Sequence, residues 1–201
     1  MYGLPANTLI NQPLYKKAVF EKFNLKTAER ERFDADISKM ALVARISPAT
    51  VPALKEGQQI KGFYVLQVTL KRKDYDSKNI LMLQKLIPQK LIFALQFEEQ
   101  TQFCIFHTRL QQSAWMPTDE ATITLQGLSL DDVWNNIVAT IGGLDAMAEA
   151  SIEEQIIHRE QREKLLRQIE QLEKRCRAEK QTRKKYELHQ QIVKLKEQIE
   201  L

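Results

Sequence analysis

Seven basic side chains fall within twelve consecutive positions near the C-terminus: Lys174, Arg175, Arg177, Lys180, Arg183, Lys184 and Lys185, with Glu179 the one carboxylate among them. Side chains of this type at this density suit phosphates, because each contact releases condensed counterions and makes binding fall steeply with salt. A solvated helix surface or a contact with an acidic protein partner uses the same residues, and Glu170, Glu173 and Glu187 stand at helical pairing distance from several of them. A smaller basic run, Lys71-Arg72-Lys73, closes one strand-like segment just before a helix-like one, the kind of sheet edge where ligands approach, though a solvated strand end is the commoner use of such residues.

Other chemistry is harder to assemble. The chain contains no Gly-rich phosphate loop, no dinucleotide fingerprint and no His-Glu-x-x-His pair. His107, His158 and His189 are dispersed over a strand-like segment and a helical tail and read as structural or surface residues. Cys104 and Cys176 lie too far apart to suggest a metal pair or a disulfide framework, and read as reduced thiols. A metal-dependent nuclease needs carboxylates on adjacent strands. Phe63 to Leu70 offers Gln67 and Thr69 instead, while Glu98 and Glu99 belong to a turn and Asp74 and Asp76 to a helix start. No catalytic residues, cofactor or metal are expected.

The elements that must position the basic residues divide the chain in two. Apolar residues, 43% of the 201, are dense up to about Leu144 and thereafter keep to a helical stripe; Gly and Pro stop at Gly143 and Pro117. An α+β domain over residues 1–145 and a charged helical arm over 146–201 follow from this. The net charge of +4 lies mainly in the arm, where 13 Lys+Arg face 10 Asp+Glu from Ser151 onward. No stretch approaches the ~18 apolar residues of a membrane span, and the Met1-Tyr2-Gly3-Leu4-Pro5 opening lacks the pattern of a secretory signal, so a cytoplasmic location is expected.

Within the body, helices are predicted over Leu14 to Phe23 and Thr27 to Ile37, and strands over Met40 to Ile46 and Phe63 to Leu70. Asp76 to Ile87 carries Ile80, Leu83 and Ile87 at helical spacing and stops at Pro88, which makes it a crossover between parallel strands. Leu91 to Phe97 and Gln102 to His107 flank a polar turn and predict an antiparallel hairpin. Alternation in Ala121 to Gln126 predicts another strand, and Ser129 with Asp132 marks the start of a helix closed by Gly142-Gly143. The outcome is a mixed sheet of about five strands with flanking helices.

In the arm, Leu165, Ile169, Leu172 and Cys176 form one coiled-coil seam, and Leu188, Ile192, Leu195 and Ile199 form another. The second is out of phase with the first. Either the chain reverses near Glu179 to Lys184 as an antiparallel helical hairpin, or one long helix shows two seams to different partners; the hairpin is favoured because it lets the arm bury its own stripe.

Gly3-Leu4-Pro5, Lys16-Lys17-Ala18, Ile46-Ser47-Pro48 with Thr50, Leu86-Ile87-Pro88, Trp115, Gly127-Leu128-Ser129-Leu130 and Arg177-Ala178-Glu179-Lys180-Gln181 together resemble the bacterial and archaeal domain of unknown function 4391 family over nearly the whole chain. Leu14-Tyr15 departs from the pattern, since members tend to carry Pro there. The resemblance carries no catalytic motif. It implies an association with restriction-type methyltransferases and helicases, hence a non-catalytic accessory subunit of a DNA-processing or phage-defence complex, with a larger protein partner and nucleic acid as expected contacts. The rival reading is a protein-interaction scaffold that homodimerises through the C-terminal coiled coil.

Overall fold

Chain order in the first part runs β1 (Leu9–Leu14), α1 (Lys16–Lys22), α2 (Thr27–Asp36), β2 (Ile37–Ile46), β3 (Phe63–Leu70), α3 (Ser77–Leu86), β4 (Lys90–Phe97), β5 (Gln100–His107), β6 (Arg109–Gln112), β7 (Met116–Pro117) and α4 (Leu130–Gly142). The computed structural model describes residues 1–200, with the backbone alone at Ile199 and Glu200. It divides into two compact units, Met1–Ile152 and the chain from Glu153 onward.

Strands lie in the order β1-β2-β3-β4-β5-β6, with β7 paired to β5. β3 and β4 are parallel, Phe63 opposite Lys90, and every other pairing is antiparallel, so the sheet is mixed and the fold is α+β. The parallel pair demands a crossover, which α3 supplies. Asp76 caps α3 by accepting from the Lys78 N–H at 2.9 Å, and Pro88 stands just beyond its end. β4 and β5 are joined by the two-residue turn Glu98-Glu99, where Glu98 adopts φ +52.

Both faces of the sheet are covered. Leu66, Val68, Phe93 and Leu95 meet Val19, Phe33, Ile80 and Leu83 of the first three helices in one apolar cluster. On the opposite face Trp134 of α4 packs edge-on to Phe63 at 5.5 Å. Several of these side chains are completely buried, each worth about 1.5–3 kcal/mol relative to exposure. α4 starts with a reciprocal cap, the Asp132 N–H donating to Ser129 Oγ and the Ser129 N–H to Asp132 Oδ2, and ends at Gly143 in the left-handed region.

Two differences from the sequence reading have physical causes. Ala121 to Gln126 is not a strand: Ala121 and Ile123 are buried and Thr122 and Thr124 exposed, yet its backbone ties are the Ile123 N–H donating to the Tyr2 carbonyl and the Gln126 carbonyl accepting from the Asn136 side chain. Alternating burial thus arises without a ladder. β1, β6 and β7 are additional strands. β1 shows no alternation and carries Pro13, which an edge strand tolerates because its outer N–H groups need no partner.

The second unit consists of α5 (Ile152–Ala178) and α6 (Thr182–Glu200). Glu173 pairs with Lys196 at 2.9 Å and Cys176 Sγ lies 3.6 Å from the Lys185 carbonyl oxygen. One continuous helix would separate Glu173 from Lys196 by about 35 Å, so the arm is a helical hairpin. Among the described residues no helix is long and apolar enough to cross a membrane.

Candidate nucleic-acid interface

The reversal at Glu179-Lys180-Gln181 contains neither Gly nor Pro, and side chains do the work instead. The Glu179 N–H still bonds to the Arg175 carbonyl at 3.0 Å. Its carboxylate then accepts the Gln181 N–H at 2.9 Å, which draws Glu179 below the ordinary carboxylate range. The Gln181 carbonyl accepts the Lys185 N–H at 2.9 Å and opens α6. Along the seam Ile169 and Ile192 are each 5% exposed, while Leu165, Leu172, Cys176, Leu188 and Leu195 are half-buried. The side chain of Ile199 lies outside the described residues.

Hairpin closure brings the basic residues of both helices to one end of the arm. Arg177 of α5 and Lys185 of α6 line the same groove with Glu173, Cys176, His189 and Ile192. Three of the seven cations have helical partners: Lys174 with Glu170 at 2.7 Å, Arg177 with Glu173 at 3.8 Å and Arg183 with Glu187 at 3.3 Å. The Lys174 ammonium beside Glu170 and the Lys196 ammonium beside Glu173 draw both carboxyls down. Apart from the half-exposed Glu173 these groups are well exposed, and solvent screens such pairs so that they hold the cations only weakly. Arg175, Lys180, Lys184 and Lys185 have no carboxylate within ion-pairing distance among the described residues. A phosphate arriving at the tip therefore finds four cations outside any ion pair, of which Lys184 already acts on the Glu179 carboxylate from beyond pairing distance, and three that can exchange partners.

The second basic run is differently placed. Arg72 donates to the carboxylate of Asp36, which is 1% exposed and also accepts the Asp76 N–H at 2.9 Å and the Asn79 side-chain amide at 2.8 Å. Lys73 donates to Gln100 Oε1 at 2.6 Å and lies 5.1 Å over the Trp115 ring. Lys71 is anchored by its backbone N–H to the Asp36 carbonyl. The run therefore works chiefly as an internal brace between α2, the start of α3 and the sheet.

The sequence reading gave no role to Asp36, Asn79 or the polar cluster beside them. Tyr75 Oη donates to Gln102 Oε1 at 2.9 Å, accepts from Gln112 Nε2 at 2.7 Å and sits 3.6 Å from Cys104 Sγ. Burial raises the pKa of the Tyr75 phenol and pushes the Cys104 thiol up to about 11. Both stay protonated at neutral pH, and both cysteines are free thiols. His107 accepts from Trp134 Nε1 at 3.4 Å, while His158 and His189 lie on α5 and α6. No three His, Cys, Asp or Glu side chains converge as metal ligands among the described residues.

No curated protein and no solved structure matches this chain. The model of one protein family does match it, over residues 2–199. The chain accordingly belongs to the family described as Domain of unknown function (DUF4391).

Proposed function

We propose that the chain is a non-catalytic accessory subunit of a DNA-processing or phage-defence complex, in which the body docks on a larger enzyme of methyltransferase or helicase type and the arm tip contacts nucleic acid. The observation that carries this reading is the convergence of Arg175, Lys180, Lys184 and Lys185, all without carboxylate partners, at the closed end of the hairpin. Phosphates are the anions that reward several cations at once through counterion release. The restriction-type context rests on the family resemblance alone and is an association, not a mechanism.

An electrophoretic shift with duplex DNA at low salt tests it. Binding that disappears when Lys180, Arg183, Lys184 and Lys185 are changed together to Gln supports the reading, and unchanged retention removes it. The rival scaffold, which homodimerises through the seam, is less favoured because Ile169 and Ile192 are already covered within one chain. Light scattering at several concentrations separates the two, since a coiled-coil dimer would double the mass of the chain.

A further inference from the structure

A cleft of about 400 Å³ opens at the end of the sheet where the parallel strands β3 and β4 begin, lined among others by Gln59, Lys61, Gln84, Gln89, Lys90 and Phe106. We infer that this cleft is a second site, separate from the arm, that takes a segment of single-stranded nucleic acid, a phosphate resting between Lys61 and Lys90 and a base against Phe106. Its volume falls within the usual range for small-ligand sites, about 300–1,000 Å³.

Register sets the electrostatics. With Phe63 opposite both Ile46 and Lys90, the cations Arg45, Lys61 and Lys90 share this end of the strands. The Glu98-Glu99 turn and the Asp119-Glu120 turn that follows β7 lie at the other end. The carboxylates near the cleft are largely occupied. Asp131 accepts the backbone N–H groups of Gln58, Gln59 and Ile60, Asp132 caps α4, and Glu56 reaches Lys61 only at 3.5 Å with both side chains more than half exposed. Lys90 is held over the Trp134 ring at 5.4 Å, with no carboxylate in ion-pairing reach among the described residues.

The neutral groups favour a nucleotide over a purely anionic ligand. Phe106 is 37% exposed, an aromatic face at which bases of any sequence can stack. Gln59 and Gln89 are exposed, and a side-chain amide both donates and accepts, as base edges require. Gln84 donates to the Gln89 carbonyl at 3.1 Å, while its own buried side-chain oxygen has no donor. An oligoglutamate would use the lysines but offers the ring no aromatic or apolar group to stack on. The loop presenting Gln59 and Lys61 is already clamped by Asp131, and a side chain at Gly57 would strike that carboxylate at 2.2 Å. Little ordering remains to be done on binding.

Fluorescence anisotropy with a labelled eight-residue oligothymidylate tests the site in the full chain. The variant with Lys180, Arg183, Lys184 and Lys185 changed to Gln should keep oligonucleotide affinity while losing duplex binding, so the two sites fail independently. Lys61→Glu with Lys90→Glu should weaken the oligonucleotide at least tenfold, and Phe106→Ala should weaken it by about fivefold or more, given what one stacked base contributes. All three side chains are exposed, and unchanged thermal melting of each variant excludes misfolding. No oligonucleotide binding by the arm variant, no effect of Phe106→Ala, or tighter binding of a labelled oligoglutamate peptide would each overturn the inference.

Discussion

Salt dependence puts a number on the arm tip. Four cations, Arg175, Lys180, Lys184 and Lys185, lack carboxylate partners, while Lys174, Arg177 and Arg183 are paired to glutamates on their own helices. If only the four unpaired groups neutralise DNA phosphates, log Kobs should fall against log salt with a slope of about −3.6. Between 50 and 200 mM salt, affinity would then drop by about 150-fold. If all seven take part, the slope steepens to about −6.3 and the loss approaches roughly 6,000-fold. Changing Lys180, Arg183, Lys184 and Lys185 to Gln leaves Arg175 as the sole unpaired contact, so duplex binding should be lost and any residue of it at the lowest salt should show a slope of only about −1. Anisotropy of a labelled 20-base-pair duplex across a salt series reads all three cases. A slope that the substitutions leave unchanged refutes the assignment of the tip, even if the chain binds DNA.

Three further outcomes are expected. Asp36→Ala strips the partner from the buried Asn79 amide and the Asp76 N–H and should lower stability by about 3 kcal/mol in urea unfolding; a loss within error would show that water replaces the carboxylate. At Asp131, partial burial opposes ionisation, but the N–H groups of Ile60, Gln59 and Gln58 and the Lys61 charge outweigh it and hold the carboxyl below its ordinary 3.8. The stability it confers is present above that value and lost as pH falls through the lower folded-state pKa, so Asp131→Asn should be weaker than the parent at pH 7, with the gap narrowing as pH falls below 3.8 in parallel urea melts. Ile192→Ala should loosen α6 by about 2 kcal/mol, seen as lost ellipticity at 222 nm and faster tryptic cleavage after Lys184 and Lys185, with the body's urea transition unmoved.

Legibility followed the source of the signal. β3, β4, α3 and α4 announce themselves by periodicity, turn residues and caps within a dozen positions, and the structure keeps them within a few residues. The segment 121–126 shows the limit of that reading. Alternation records which side chains are dry, and a chain lying across a core alternates just as a strand does, with one backbone bond where a ladder would be. β1 failed in the opposite sense: with one face scarcely covered, its strand geometry leaves no apolar pattern. The basic run and its glutamate partners were legible because helical pairing is local. Asp36 was not, because its burial depends on Arg72 and Asn79, 36 and 43 residues onward. The cleft at the start of β3 and β4 was hidden for the same reason, its lining coming from four separate segments.

The break in the arm was signalled by phase and not by any breaker residue. Continuing the first seam would have turned Glu179, Arg183, Tyr186 and Gln190 inward and Leu188, Ile192 and Leu195 to solvent. Interrupting the helix at Glu179-Lys180-Gln181 forfeits a few intrahelical bonds of about 1 kcal/mol each, and the Glu179 carboxylate recovers part of that by accepting the Gln181 N–H. Burying one aliphatic side chain fully returns about 1.5–3 kcal/mol, and three seam residues of α6 gain cover, so reversal prevails. The same reversal crowds the tip with like charges. Glu170, Glu173 and Glu187 relieve three of them and leave four. A sequence shaped by the seam alone could have placed neutral residues at Lys180, Lys184 and Lys185, all exposed, without disturbing the hairpin. Cations there add repulsion to the closed arm, and the polyanion proposed for the tip would turn that repulsion into attraction.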